Sequence, residues 1–228
     1  MRVALVTVGD EILAGDTTNT NGTWLGEQLT DQGVTVERMT AIPDRVGEIA
    51  KVVNEYRAAY DAVIVTGGLG PTHDDMTMEA VAAAFGTELV PDDTAREWLR
   101  GQGYTEDDIA PGTAHLPERG ELLPNPKGVA PGCVIGTVYV LPGVPGEMRA
   151  MFEQVRDQFG GDTSHVETVE TPEPEKELLD RLAGVRETFD VTLGSYPGET
   201  VTLKIQGGDP EEVAAAVDWL RERVDPVE

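Results

Sequence analysis

The first half of the chain alternates short apolar runs with longer amphipathic segments. Residues 3–8 and 62–65 consist almost entirely of apolar side chains, which is the pattern of strands at the centre of a parallel sheet. Residues 45–59 instead place apolar side chains every three or four positions, which predicts an amphipathic helix. The same two patterns predict a strand over residues 34–39 and helices over residues 20–32, 78–85, 94–102 and 147–159.

Strands and helices that alternate in this order predict a doubly wound α/β domain, which we place at residues 1–160. Within it, residues 133–141 are predicted to form one strand and residues 116–131 a loop at the ligand site. Residues 160–174 have the composition of a linker. A small α/β module is predicted at residues 170–228, with helices over residues 175–187 and 210–224, strands over residues 191–193 and 200–206, and a turn at residues 195–198.

A glycine-rich segment joins a predicted strand to a predicted helix. Glycines let the backbone approach a ligand closely, and the amino end of a helix attracts phosphate. Asp74 and Asp75 lie in the same turn, and carboxylates repel phosphate unless a cation lies between them or one acts as a base. The segment therefore predicts a site for a nucleotide or phosphate ester; the alternative is that one polar side chain only caps the helix. Its sequence is Thr66-Gly67-Gly68-Leu69-Gly70-Pro71-Thr72-His73-Asp74-Asp75-Met76-Thr77.

Two further strand ends carry candidate side chains. Asp10 and Glu11 follow the first strand, and a glycine- and proline-rich turn at residues 142–147 follows a later one. Because the carboxyl ends of parallel strands meet at one edge of the sheet, we expect Asp10 and Glu11 to lie near Asp74 and Asp75. Four carboxylates there would suit Mg²⁺, which prefers carboxylate, water and phosphate oxygens. The alternative for Glu11 is a solvated acid in a turn.

The composition is strongly acidic, since 42 Asp and Glu residues face 17 Lys and Arg residues and the formal net charge is −25. Such a surface is typical of proteins in concentrated salt, where screening weakens self-repulsion, so we expect a halophilic source. The charge argues against a nucleic-acid partner. A single cysteine, Cys133, excludes an intrachain disulfide and suits the cytoplasm. We also expect no signal peptide and no membrane span.

Several motifs resemble the molybdopterin-binding (MoaB/Mog-like) domain, in the version found in the amino-terminal part of the competence/damage-inducible protein A family. The resemblance covers residues 1–155, and the small module resembles the domain that follows in that family. Fuller members carry a nicotinamide-nucleotide deamidase domain that this sequence lacks, so we expect no deamidase activity. Besides the glycine-rich segment, the motifs are Gly9-Asp10-Glu11-Ile12-Leu13, Asn21, Glu79-Ala80, Asn125, Gly128-Val129-Ala130-Pro131-Gly132 and Leu141-Pro142-Gly143-Val144-Pro145-Gly146-Glu147-Met148.

The resemblance implies a three-layer α/β/α fold with a central, mostly parallel sheet, followed by a small α/β module. It implies a pocket for a pterin or nucleotide phosphate, and homo-oligomers (dimers or trimers) formed through the large domain. Relatives in the branch that this chain resembles more cleave a pyrophosphate, as in ADP-ribose or FAD, with a metal ion. Metal-dependent pyrophosphatase activity is therefore our first functional prediction. The alternatives are molybdopterin binding or adenylyl transfer in molybdenum cofactor biosynthesis, and a binding module without turnover.

The motifs and the resemblance together predict three groups of site residues. The catalytic candidates are Asp75, Asp74 and Asp44, of which Asp44 is assigned by the resemblance alone. Mg²⁺ is the expected cofactor, with K⁺ as a second candidate ion, and the candidate metal ligands are Asp10, Glu11, Asp74, Asp75 and Glu147. The candidate substrate-binding residues are Gly67, Gly68, Gly70, Thr72, Thr77, Asn21, Gly132, Pro142, Gly143 and Pro145.

The net charge of −25 predicts that the folded state depends on salt. We expect the melting temperature to be highest in molar KCl. It should decrease at KCl concentrations below about a few tenths molar, where the Debye length is longer and the acidic side chains repel one another more strongly. Thermal unfolding across a KCl series measures this. A melting temperature that stays flat or decreases as KCl rises would contradict a halophilic design.

Overall fold

The computed structural model describes residues 1–70, 75–105, 109–161 and 165–227. It divides into two compact units, the first made of Met1–Thr30 and Val34–Gly160 and the second of Asp31–Gly33 and Gly161–Glu228. No helix in the described ranges has the length and apolar content that a bilayer span requires.

The first unit is built on a six-stranded sheet with the strand order β2-β1-β3-β8-β7-β6. The pairs β1–β2, β1–β3 and β3–β8 are parallel, and β8–β7 and β7–β6 are antiparallel. The sheet strands are β1 (Arg2–Val8), β2 (Thr35–Ile42), β3 (Ala62–Thr66), β6 (Glu121–Leu123), β7 (Gly132–Ile135) and β8 (Val138–Leu141), while β4 (Leu89–Pro91) and β5 (His115–Pro117) form a separate antiparallel pair.

Helices cover both faces of this sheet because its central strands alternate their side chains between two cores. Val6 and Val65 belong to a core that also contains residues of α3, α4 and α5, while Leu5 and Ile64 belong to one that contains residues of α2 and α6. This arrangement confirms the predicted three-layer α/β/α fold with a mostly parallel sheet. The helices are α1 (Asp10–Ala14), α2 (Thr20–Asp31), α3 (Val46–Ala59), α4 (Thr77–Ala84), α5 (Asp93–Gly101) and α6 (Pro145–Val155), the last followed by a 3-10 turn at Arg156–Gln158.

The single strand predicted over residues 133–141 is wrong, because the segment forms the β7–β8 hairpin. Gly136 has a φ of 57° and begins the two-residue turn between Ile135 and Val138, a position that favours glycine. Both strands are buried, so the apolar run continues through the hairpin with only Gly136 and Thr137 to interrupt it. The hairpin places β8 beside β3 at the centre of the sheet.

The loop predicted over residues 116–131 is also wrong in part, because it contains most of β5 and all of β6. Each of these strands has three residues, which is too short for a periodic pattern to appear. β6 forms an edge of the large sheet, and β5 pairs with β4.

The second unit has a three-stranded antiparallel sheet, in the order β10-β11-β9, with two helices. The prediction that residues 160–174 form a linker is wrong over β9. This strand is largely exposed, and its polar side chains resemble those of a loop. The predicted turn is wrong for Ser195, Tyr196 and Pro197, which end β10. The elements are β9 (His165–Thr171), α7 (Glu175–Thr188), β10 (Thr192–Pro197), β11 (Val201–Gly207) and α8 (Pro210–Arg221).

An ion pair joins Arg181 in α7 (Glu175–Thr188) to Glu173 just before this helix, and the chain after α8 bonds to the same carboxylate. The Arg181 guanidinium donates to both carboxylate oxygens of Glu173, and the Asp225 backbone N–H donates to Glu173 Oε1 over 2.7 Å. The side chains of Arg181 and Glu173 are only 23% and 12% exposed. The hydrogen bonds from Arg181 lower the pKa of Glu173 below its ordinary value, and the hydrogen bond from the Asp225 N–H is the next largest cause.

We therefore expect Glu173→Gln to destabilise the second unit by about 1.5–3 kcal/mol at neutral pH, the usual range for hydrogen bonds to a charged group. A carboxylate with a lowered folded-state pKa stabilises the fold above its ordinary value of 4.5, and this stabilisation disappears as pH falls through the lowered pKa. Urea unfolding of both proteins across pH measures the difference. The exposed Glu187→Gln variant is the control, and a Glu173→Gln cost that does not shrink in acid would contradict this account.

Candidate functional site

The carboxyl ends of the three central parallel strands bring the predicted motifs together. β1 leads to Gly9 and α1, β3 leads to the glycine loop that begins at Gly67, and β8 leads to Pro142 and α6. We call residues 67–70 the glycine loop. This edge of the sheet contains the candidate site, as the order of strands and helices predicts.

The three strand ends meet in close contact at Gly67. Its N–H donates to the Leu141 carbonyl over 3.1 Å, and its φ is 101°. A Cβ at this position would lie 2.2 Å from the Val8 carbonyl oxygen, and a Cβ on Gly143 would lie 3.3 Å from the Gly67 Cα. Glycine is therefore required at Gly67 both for its backbone conformation and for the contact with β1.

The next glycine connects the loop to α4. Gly68 has a φ of 65°, and its carbonyl accepts a hydrogen bond from the Thr77 N–H over 3.1 Å. A Cβ on Gly68 would lie 2.3 Å from Thr77 Oγ1 and 3.5 Å from Asp44 Oδ1. Thr77 is fully buried, and its hydroxyl has no hydrogen-bond partner among the described residues. An unpaired hydroxyl thus lies directly beside the loop at the start of a helix.

The candidate acids occupy different positions around this loop. Asp44, assigned by the resemblance, accepts a hydrogen bond from the Asp10 N–H over 2.8 Å. The Asp75 carboxylate packs against Gly70, where an added Cβ would lie 2.5 Å from Oδ2. The Glu11 carboxylate instead packs against Gly9. Asp44 and Asp75 therefore flank the glycine loop.

The predicted four-carboxylate metal site consists of Asp74 and Asp75, which follow the glycine loop in the sequence, and of Asp10 and Glu11, which belong to α1. Asp74 and Thr72 lie outside the described residues. Within the described ranges, no three or more His, Cys, Asp or Glu side chains are close enough together to hold a metal ion. The metal-ligand assignments of Asp10, Glu11, Asp75 and Glu147 therefore stay predictions.

A cavity of 450 Å³ opens beside the glycine loop and is the largest described here. Asp75 and Glu147 supply carboxylates to its wall, and the rest of the wall is glycine, proline and aliphatic side chains. Its lining includes the predicted residues Gly68, Gly70, Pro142 and Gly143 together with Leu69, Val129, Ala130 and Val144.

Glu147 is held in this wall by Asn125, which is 1% exposed. The Asn125 amide donates to Glu147 Oε2 over 2.7 Å and to the Ala130 carbonyl over 2.9 Å. Gly128 allows this approach, because a Cβ there would lie 2.3 Å from Glu147 Oε2. Asn125 thus holds both the Glu147 carboxylate and the loop at Ala130 in the cavity wall. The sequence indicates this role only through the family motif.

A second cavity, of 170 Å³, shares Gly68, Gly70 and Asp75 with the first. It adds Glu79 and His115, whose buried Nδ1 has no partner among the described residues. The sequence pattern does not place His115 at the site, because His115 pairs with Pro91 across β4 and β5, two strands of three residues each that are too short to show a periodic pattern. The signal that was available is that His115 is one of only three histidines.

Five predicted binding residues that the structure describes do not line the large cavity: Gly67, Thr77, Asn21, Gly132 and Pro145. Gly132 lies within β7, where a Cβ would lie 2.3 Å from the Val140 carbonyl oxygen, so packing alone requires glycine there. Pro145 begins α6 and lines a third cavity of 100 Å³ together with Asn21, whose side-chain amide donates to the Gly143 carbonyl over 2.7 Å. Elsewhere in the sheet, Cys133 is fully buried in the hydrophobic core, and this burial raises the pKa of its thiol to about 12.

Comparison with known proteins places the first unit in one family. The model of the family described as "Probable molybdopterin binding domain" matches residues 4–159. A protein of Archaeoglobus fulgidus is 39% identical over 224 residues, which are 97% of this chain and 97% of that protein.

CinA-like relatives match about two thirds of the chain. A CinA-like protein of Frankia casuarinae is 44% identical over 165 residues, which are 67% of this chain but 38% of that protein. The crystal structure of CinA from Thermoplasma acidophilum, described as having unknown function, has a TM-score of 0.65 and 36% identity, and covers 69% of this chain and 97% of its own.

The contact at Gly67 predicts a large effect of a single methyl group. We expect Gly67→Ala to destabilise the first unit by more than about 2 kcal/mol, because the positive φ costs roughly 1–2 kcal/mol and the clash with the Val8 carbonyl adds to it. Gly103 is the matched control, since its φ is 93° but nothing lies within 4 Å of an added Cβ. Denaturant unfolding measures both variants. Equal costs for Gly67→Ala and Gly103→Ala would show that the strand ends do not depend on this contact.

Proposed function

This chain belongs to the family of the probable molybdopterin-binding domain, and we propose that its first unit binds a phosphate-bearing small molecule of the pterin or nucleotide class. Molybdopterin is the first candidate ligand. The observation that carries the proposal is that the glycine loop lines the largest cavity described here and has the amino end of α4, with a Thr77 hydroxyl that has no described partner, directly behind Gly68.

The residues that line the cavity of 450 Å³ suit a ligand with a phosphate and a flat ring. A volume of 450 Å³ lies within the usual range of roughly 300–1,000 Å³ for small-molecule sites. The described residues that line it include no lysine or arginine, so the backbone N–H groups of the glycine loop are the available partners for a phosphate, with Thr77 and the start of α4 directly behind Gly68. The aliphatic and proline side chains offer a surface on which a ring can pack.

The second candidate function is Mg²⁺-dependent cleavage of a pyrophosphate, as in ADP-ribose or FAD. The observation that favours it is that Asp75 and Glu147 line the same cavity, where two carboxylates would repel a phosphate unless a cation neutralised them. A bound Mg²⁺ would supply that neutralisation. Among the described residues, these carboxylates form no cluster of three or more metal ligands. Adenylyl transfer to molybdopterin is the further alternative, and the same cavity would serve it.

Two variants separate binding from turnover. We expect Thr77→Val to weaken molybdopterin and ADP-ribose binding by about tenfold, because it removes a hydroxyl without changing the shape of the side chain. We expect Asp75→Asn to bind these ligands but to release no AMP from ADP-ribose if the second candidate function is correct. Titration calorimetry in molar KCl with Mg²⁺, followed by chromatography of the nucleotide products, measures both quantities.

The exposed Asp180→Asn variant in the second unit is the control for both measurements. Unchanged affinity in Thr77→Val would contradict the phosphate site at the glycine loop. AMP release by the wild-type protein that persists in Asp75→Asn would contradict a catalytic role for Asp75.

A further inference from the structure

The three-stranded sheet of the second unit packs against α7 and α8 through one face, while the other face carries several exposed side chains. Leu193, Leu203 and Ile205 belong to the core that the two helices cover. Because side chains alternate along a strand, the residues between these positions lie on the other face, which we call the open face. In the register of the sheet its residues are Thr192, Gly194 and Tyr196 of β10, Thr202, Lys204 and Gln206 of β11, and Val166, Thr168 and Glu170 of β9.

The open face differs in charge from the rest of the second unit. Residues 161–228 contain 17 acidic and 6 basic residues, a formal net charge of −11. The open face carries one of each, with Glu170 on the edge strand β9 and Lys204 on the central strand β11. No ion pair joins Lys204 to a residue that the structure describes. The cation at the centre of this face is therefore free to meet a bound anion, which most of the unit would repel.

Tyr196 lies across Gly194 on this face. A Cβ on Gly194 would lie 2.9 Å from both Cε2 and the hydroxyl oxygen of Tyr196, so the ring folds back over the glycine. Tyr196 is also 57% exposed, so the ring contacts the sheet and still presents much of its surface to solvent. Such a ring is a platform on which a nucleobase can stack. The alternative is that the ring only covers the backbone that Gly194 leaves bare.

The lysine and two hydroxyl groups surround this ring. Lys204 is the register partner of Gly194 on one side and of Thr168 on the other, and Thr202 is the register partner of Tyr196. Directly opposite positions on neighbouring strands lie about 4.5–5.5 Å apart at Cβ, so the Lys204 stem rises beside the ring that covers Gly194. The open face thus combines a stacking surface with hydrogen-bond donors for an anion.

We propose that the open face is a second ligand site, which binds a mononucleotide with its base on Tyr196 and its phosphate at Lys204. This inference goes beyond the function proposed for the first unit, because all of these residues belong to the second unit. Stacking on an aromatic ring supplies affinity without charge, and one lysine pairs with one phosphate. A single-stranded nucleic acid fits less well, since its successive phosphates would meet the acidic residues around the face.

Titration of the full chain with AMP in molar KCl, followed by nuclear magnetic resonance, tests this site. The amides of Gly194, Tyr196 and Lys204 report the open face, and those of residues 67–70 report the glycine loop separately. We expect AMP to shift the open-face amides in a saturable way. Inorganic phosphate, which has no ring to stack, should leave them unchanged.

Two variants separate the base contact from the phosphate contact. Tyr196→Leu should weaken binding of AMP and of adenosine by about fivefold or more, the effect of one lost stacked base, whereas Tyr196→Phe should keep the wild-type affinity. Lys204→Gln should weaken AMP binding by about three- to tenfold and leave adenosine binding unchanged. Lys176→Gln is the matched control, because it removes an exposed lysine from α7.

AMP that shifts none of the open-face amides would overturn the site, whatever it does at the glycine loop. Equal AMP affinity in Tyr196→Leu and the wild type, with a lowered melting temperature in the variant, would leave Tyr196 as a cover for Gly194 and overturn the proposal. If Tyr196→Leu does not fold, equal wild-type affinities for AMP and adenosine would overturn the phosphate contact. An oligoadenylate that binds the open face far more tightly than AMP would overturn the mononucleotide in favour of a single strand.

Discussion

The close approach of three strand ends at Gly67 is the constraint on which the candidate site depends. The backbone of Gly67 lies against the Val8 carbonyl and the Gly143 position, so the loops after β1, β3 and β8 can meet only if no side chain intervenes. The glycine loop then leads to Thr77, whose N–H donates to the Gly68 carbonyl, and the cavities of 450 Å³ and 100 Å³ both border Gly143. The position of the binding groups therefore follows from backbone packing.

The strong acidity of the chain limits how such a site can hold an anion. With a net charge of −25, long-range electrostatics oppose phosphate, so attraction must come from short-range groups or from a bound cation. Backbone N–H groups and hydroxyls provide directional hydrogen bonds that screening by salt weakens little. Asn125 likewise uses a neutral amide, and not a positive charge, to hold the Glu147 carboxylate in the cavity wall. In this account, the site recognises its ligand mainly by hydrogen bonding and shape.

The sequence predicts the central part of this architecture well, and the reasons are physical. Buried parallel strands such as β3 are continuous apolar runs, and α3 has a clear amphipathic stripe, so both are visible in the pattern. The β7–β8 hairpin is hidden because both strands are buried and the turn has only two residues. Strand β9 is hidden because its exposed face makes it look like a linker.

The sequence also predicts part of the candidate site. The glycine loop and its acids follow from composition next to a strand, but the unpaired hydroxyls of Thr66 and Thr77 depend on what surrounds them in three dimensions. Neighbouring residues in the sequence carry no information about which threonine lacks a partner. The sequence does not predict His115 for the same reason, since His115 and Asp75 line one cavity but lie far apart in the chain.

Backbone amide chemical shifts during titration with inorganic phosphate, recorded by nuclear magnetic resonance in molar KCl, test the central claim most directly. If the glycine loop binds phosphate, the largest shifts appear at Gly67, Gly68, Leu69 and Gly70 and at Thr77, while amides of the second unit such as Gly207 stay unchanged. Saturating ligand that leaves the glycine loop signals in place, or that shifts mainly the second unit, would contradict it.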